Sequence, residues 1–135
     1  MGIEDIVPGL VGQMELVVAE ENTARHLGSG NVAVLATPEM VRLMERASVA
    51  AVDHLLPPGQ RTVGVHLDVR HLAATPVGMR VIARSELVAV EGRKLTFHVE
   101  VHDEVEKVGE GTHGRMIVDL DRFRARVERK MKRET

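Results

Sequence analysis

The apolar positions of this chain recur first at every second residue, then at helical spacing, then at every second residue again. Met14, Leu16 and Val18 alternate with more polar neighbours such as Gln13 and Glu15, which predicts a first strand near residues 12–20. The polar, glycine-containing run from Glu21 to Asn31 reads as a loop. Thr37-Pro38 then has the form of a helix start, with Thr as N-cap and Pro at the first helical position. Met40, Leu43, Met44, Ala47, Ala51 and Leu55 follow helical spacing, and Pro57-Pro58-Gly59 ends the helix. After that, Val63, Val65, Leu67 and Val69 alternate with Gly64, His66, Asp68 and Arg70. A turn at Ala74-Thr75-Pro76 leads to a strand from about Met79 to Val90, and Glu91-Gly92-Arg93 is a hairpin signal. Leu95, Phe97, Val99 and Val101 alternate with Thr96, His98, Glu100 and His102. A polar turn near Asp103–Lys107 precedes a last strand through Met116 and Val118, and from Leu120 the chain is charged and reads as a helix at about 120–133.

Strand, long helix, then a meander of four strands is an α+β pattern. One antiparallel sheet with one apolar helix lying on it satisfies both periodicities. A single domain over 1–135 is the expectation for this length. On this reading the sheet's other face needs cover that Phe123 and the last helix do not supply, and pairing with a second copy is one solution.

Composition narrows the function classes. Phe97 and Phe123 are the only aromatics, so the core is built from Val, Leu, Ile, Met and Ala, and base stacking has little to work with. A net charge of −2 argues against a nucleic-acid partner. The absence of cysteine excludes disulfides, thiolate metal sites and cysteine nucleophiles. No apolar run is long enough to span a membrane, and no secretory leader is evident, so a cytoplasmic protein without a membrane partner is the default.

The residues that could carry chemistry sit in mostly apolar settings. His71 continues the register of Val63, Val65, Leu67 and Val69, either as a strand-end histidine bonded to backbone or as a proton carrier. Glu45 lies on the shoulder of the helix's apolar face, near Val41, Val49 and Val52. It is either a boundary residue reaching water, Arg42 or Arg46, or a partly desolvated general base. Thr37 is explained by capping alone, yet a helix N-terminus with a hydroxyl beside it also makes a site for a thioester carbonyl. His66 and His71 point to opposite faces of one strand, and His98 and His102 lie about 13 Å apart, so neither pair shares a metal. No metal and no cofactor are expected. The glycine-rich run Gly109 to Gly114 falls inside a strand pattern and is not a phosphate loop.

From Val32 to Phe123 the chain carries V-A-V-L-A-T-P-E-M-V, M-E-R-A-S, P-P-G-Q-R-T-V-G-V-H-L-D-V-R-H-L-A-A-T-P-V-G, G-R-K-L-T-F-H-V-E-V-H-D and G-E-G-T-H-G-R. In these blocks it resembles the fluoroacetyl-CoA thioesterase-like branch of the hotdog-fold thioesterases. The resemblance implies a curved antiparallel sheet wrapped round a central helix, a homodimer with active sites at the interface, and hydrolysis of an acyl-CoA thioester. It implies catalytic roles for Thr37, Glu45 and His71, with Gly64 near the thioester and Arg115 near the mouth of the site. Members selective for fluoroacetyl-CoA carry phenylalanines before the V-L-A-T segment. Thr23 to Ala33 holds none, which predicts a different small or medium acyl group. Two other readings stand beside hydrolysis: a dimeric acyl-CoA-binding module without turnover, and an enoyl-CoA hydratase of the same fold. The hydratase would need Asp68 and His71 to act together, but they fall on opposite faces of one strand.

Overall fold

The computed structural model describes residues 2–133. Its strands are β1 (Val11–Val17), β2 (Gln60–His71), β3 (Arg80–Glu91), β4 (Lys94–His102) and β5 (Lys107–Asp119). Its helices are α1 (Ala24–Leu27), α2 (Thr37–Val52) and α3 (Leu120–Met131). All strand pairs are antiparallel, in the order β1-β3-β4-β5-β2, so β1 and β2 are the two edges. The expected α+β architecture, one antiparallel sheet with a long helix laid on it, is the one observed.

Helix α2 buries Met40, Leu43, Met44, Ala47, Ala51 and Val52 against the sheet. Burying that many aliphatic groups, at about 25 cal/mol per Å² of apolar surface, outweighs the helix's weak intrinsic preference. Facing it are Val81, Ala83 and Leu87 of β3 and Leu95, Phe97, Val99 and Val101 of β4, all fully buried. The approach is closest at Gly12 of β1, where a Cβ would overlap the Ala47 carbonyl and the Ala51 nitrogen; only glycine lets the helix backbone lie there. One polar tie crosses this core: Ser48 Oγ meets Ser85 Oγ at 2.7 Å and donates to Met44 O at 2.9 Å.

The outer face of the sheet differs from the sequence expectation. β3 and β4 alternate so cleanly that their outward positions are mostly polar, with Arg84, Glu86, His98 and Glu100 on that face. Such a face is solvated without cover. The edge strand β2 is paired on one side only, with β5. Its odd register, expected to be buried, leaves Val65 53% and Leu67 44% exposed, and a bulge interrupts its pairing with β5 between Gly64 and His66. The segment expected as a loop carries a 3₁₀ turn at Glu20–Asn22 and the short helix α1, capped by Thr23 Oγ1 accepting from His26 N at 3.2 Å. Gly28, at φ +76°, ends α1 in the left-handed region.

Candidate active site

Thr37 does not cap α2. The N-cap is Ala36, whose carbonyl accepts from Glu39 N and Met40 N at 3.1 Å each, and Thr37 is the first helical residue. Its hydroxyl turns instead toward the end of β2, where Oγ1 lies 2.7 Å from His71 Nδ1. With the ring protonated at Nε2, the hydroxyl donates to Nδ1, the arrangement in which His71 can take a proton from it. The Nε2 atom is buried and finds no hydrogen-bond partner among the described residues. Burial holds His71 below the ordinary histidine value, with the backbone of Ala73 acting in the opposite direction. The pair opens on a cavity of about 530 Å³ walled by small and aliphatic side chains, including Ala24, Ser29, Val32, Val34 and Ala73.

Glu45 lies elsewhere on α2, two helical turns on from Thr37 and so about 12 Å along the axis. Its neighbours come from β2 and β5. Arg115 Nη1 stands 3.9 Å from Glu45 Oε2, whereas Arg42 pairs with Glu39 at 3.6 Å. The nearest cation is thus not Arg42 or Arg46, the partners read from the helix alone. Gly64 supplies the floor: a Cβ on it would sit 2.8 Å from Glu45 Oε2, 3.3 Å from His113 Cε1 and 3.4 Å from Arg115 Nη1. The side chain of Glu45 is 40% exposed and that of Arg115 only 7%. The Arg115 guanidinium donates from Nε to Thr62 Oγ1 at 2.8 Å and from Nη2 to Thr62 O at 2.9 Å. Thr62 Oγ1 donates in turn to Asp53 Oδ1 at 2.6 Å. Burial lowers the Arg115 value, opposed by the charges of Asp53 and Glu45.

Within one chain the five residues singled out from the sequence therefore form two groups. Thr37 and His71 lie together at the end of β2, while Glu45, Gly64 and Arg115 lie together beside its start. The cavity beside Thr37 and His71 does not reach Glu45, which borders separate clefts with Met14, Arg42 and Val49 and with Val65, His66 and His113. Sequence reasoning missed His113 and Asp53. His113 is fully buried, its Nδ1 2.8 Å from His66 O and its Nε2 3.2 Å from Arg115 Nη1. Its signal was the shared inward register of His113, Arg115 and Ile117, obscured by the glycines around it. No group of three or more His, Asp or Glu side chains able to hold a metal occurs among the described residues.

Known proteins resemble this one in sequence and fold. A family model described as fluoroacetyl-CoA-specific thioesterase (FlK) matches residues 18–121. The fluoroacetyl-CoA thioesterase of Streptantibioticus cattleyicolor is 43% identical over 122 residues, covering 86% of this chain and 88% of that protein. A solved structure of the fluoroacetyl-CoA thioesterase FlK matches with a TM-score of 0.86 and 39% identity over 93% of this chain and 97% of its own. A Thermus thermophilus hypothetical protein, a thioesterase superfamily member, matches with a TM-score of 0.88 and 31% identity over 95% of each chain. The curved sheet on a central helix is the hotdog fold, and the class is that of hotdog-fold thioester hydrolases. Within that class the chain belongs to the fluoroacetyl-CoA-specific thioesterase family.

Proposed function

We propose that this protein hydrolyses a small or medium acyl-CoA thioester to the free acid and CoA, without selectivity for fluoroacetyl-CoA, and that two copies build each site. The observation that carries the reading is the 2.7 Å contact of Thr37 Oγ1 with His71 Nδ1 at the N-terminus of α2, facing an open cavity. Thr37 N–H forms no hydrogen bond among the described residues, so this N–H and the helix dipole face the place where a thioester carbonyl oxygen would develop charge, while the hydroxyl donates to His71. Glu45 takes a proton from water as that water attacks the carbonyl, or attacks the carbonyl itself to form an anhydride that water then cleaves; the carbon–sulfur bond breaks, and the proton released by the water passes through His71 to the departing thiolate. Gly64 and Arg115 keep the carboxylate in place. The cytoplasm, where acyl-CoA is made and used, is the fitting location, and no helix among the described residues is long and apolar enough to cross a membrane.

The second copy supplies what one chain keeps apart. A long edge strand with exposed apolar residues is a pairing surface. Antiparallel pairing of β2 with its twin about a two-fold at Asp68, which with the bulge after Gly64 lies midway between Gly64 and His71, would set Glu45 of the partner subunit near the Thr37–His71 pair.

Selectivity follows from the cavity wall. Bulky walls are needed to favour one very small acyl group, and here Ala24, Ser29 and Val32 are among the residues that line the cavity. The test is free-thiol release from a panel of short, medium, branched and aryl acyl-CoAs, with hydration of an enoyl-CoA followed alongside. Hydrolysis of at least one acyl-CoA is expected, with no hydration. The kcat/KM for fluoroacetyl-CoA should not exceed that for acetyl-CoA by more than about 10³-fold, since one small substituent in an apolar pocket is worth only about 1–3 kcal/mol. No thiol release from any of them would leave acyl-CoA binding without turnover.

A further inference from the structure

We infer that His113 is a positioning residue for this reaction: with Thr62 it fixes the Arg115 guanidinium, and through it the Glu45 carboxylate. The inference rests on the proposed role of Glu45 and adds a residue to which the reading above gives no part.

Hydrogen-bond chemistry determines the tautomer. The His66 carbonyl can only accept, so the His113 nitrogen 2.8 Å from it, Nδ1, carries the hydrogen. The other nitrogen, Nε2, faces Arg115 Nη1 at 3.2 Å, and a guanidinium can only donate. His113 must therefore be neutral, with Nε2 as an acceptor. Burial, most of all, and the Arg115 charge favour that state over the protonated ring, against the pull of the His66 carbonyl and the Glu45 charge. The groups facing the ring are Arg115 on its own strand, His66 from β2, Glu45 from α2 and, from β4, the uncharged Phe97 at 6.3 Å between centroids.

Arg115 is thus gripped on both edges. Thr62 takes Nε and Nη2, itself anchored by Asp53 at the end of α2, and His113 takes Nη1. What remains of Nη1 faces Glu45 at 3.9 Å. A buried guanidinium held mainly by neutral acceptors is a poor stabiliser, because desolvation costs several kcal/mol that apolar residues of the same volume would not incur. In the same register of β5, Gly109 lies against Met40 and Ile117 is buried and apolar. The polar pair interrupts that apolar face where Glu45 approaches, which a role in packing alone does not explain.

The test compares His113→Leu, which fills the space without an acceptor, with His113→Gln, whose carboxamide oxygen can still accept from Arg115. Folded His113→Leu should lose about 10-fold or more in kcat at nearly unchanged KM, since a small misplacement of a reacting group can cost up to about 10²-fold. His113→Gln should recover most of that loss. Wild-type kcat in folded His113→Leu, or equal losses in both variants, would overturn the inference. If His113→Leu does not fold, His113→Met, which also lacks a strong acceptor, should show the same kcat loss, and wild-type turnover there overturns it equally; Thr62→Val removes the acceptor of Arg115 Nε but keeps Thr62 O on Nη2, and a smaller kcat loss is expected from it. A readout free of substitution is the ¹⁵N spectrum of the wild-type ring at neutral pH, where Nδ1 should be protonated and Nε2 bare. A hydrogen on Nε2 would contradict the grip on Arg115. Glu45→Gln separates the two levels: full turnover in that variant sinks the role of Glu45 itself, whereas an inactive Glu45→Gln beside a fully active, folded His113→Leu sinks only the role of His113.

Discussion

At the scale of single residues, Gly64 matters for what it lacks. Its backbone is not in the left-handed region, so alanine there is unstrained in itself; a Cβ would meet the head of Glu45 at 2.8 Å first, and the His113 ring and Arg115 guanidinium at 3.3 and 3.4 Å, which need give by only a few tenths of an ångström. A flexible side chain yields at little energetic cost, but it yields by moving the carboxylate. Gly64→Ala should therefore melt at the wild-type temperature or slightly above it, because the unfolded chain loses freedom worth about 0.4–1 kcal/mol. Its turnover should fall by up to about 10²-fold. A melting curve and a kcat measurement on one preparation check both, and undiminished kcat would show that the displaced carboxylate is not the reacting one. The two inward histidines make a separate prediction. Burial lowers the values of both His71 and His113 below histidine's ordinary 6.5. The unfolded chain thus takes up protons near pH 6.5 while the folded chain does not. Stability should be complete above that pH and fall as pH drops below it. The carboxylates with lowered values, Glu100, Asp103 and Glu110, act only further into acid. Urea unfolding between pH 7.5 and 5.5 should then show a decline that is shallower in His113→Gln; an equal slope in the variant would mean that His113 protonates as readily folded as unfolded.

At the scale of elements, the start of α2 separates two roles that its sequence left joined. Thr37-Pro38 reads as a cap followed by a first-turn proline, and the helix does begin there, one residue earlier than that reading sets it, because Ala36 supplies the non-helical backbone and Thr37 is already helical. The hydroxyl is free for His71. Thr37→Ala should therefore not incur the roughly 1 kcal/mol that loss of a cap costs. It should instead lower turnover, and Thr37→Ser, which keeps the hydroxyl, should recover most of it. Denaturant unfolding beside thiol-release rates checks this, and a loss of about 1 kcal/mol restored by serine would return the residue to capping. The same contrast explains what was legible elsewhere. β3, β4 and α2 each bury one face inside their own chain, so alternation and helical spacing mark them faithfully. β2 alternates just as well, yet its odd register faces solvent at Val65 and Leu67, since no second sheet or helix of this chain covers it. His71 was recognisable as a candidate from its place in that register, but its partner, Thr37, lies across 34 residues of sequence. His113 shared an inward register with Arg115 and Ile117 that the glycines around it obscured, and Asp53 was not recognisable, because it matters through hydrogen bonds from Thr62 on another element, which periodicity does not encode.

At the scale of the whole molecule, the two groups of site residues lie toward opposite ends of one edge strand, and this arrangement makes the proposed dimer testable through its chemistry. Gly64 and His71 are seven residues apart on β2, about 23 Å in an extended strand, too far for Glu45 and His71 of one chain to act on one carbonyl. Pairing two copies along β2 would give two sites, each with Thr37 and His71 from one chain and Glu45 from the other. Thr37→Ala and Glu45→Gln proteins, each impaired as a pure dimer, should regain activity when unfolded and refolded together. In a mixed dimer, one site then carries both substitutions and the other carries neither. A one-to-one mixture that exchanges freely holds about half mixed dimers, so about a quarter of the wild-type sites should return. Two substitutions that met in the same chain's site would give no such recovery, because every site would keep one defect. Recovery near that fraction, with mixed dimers confirmed by mass, supports the shared site. Mixed dimers without recovery, or an active species with the mass of one chain, would place the reaction within a single protomer and require Glu45 to be replaced by another group as the base.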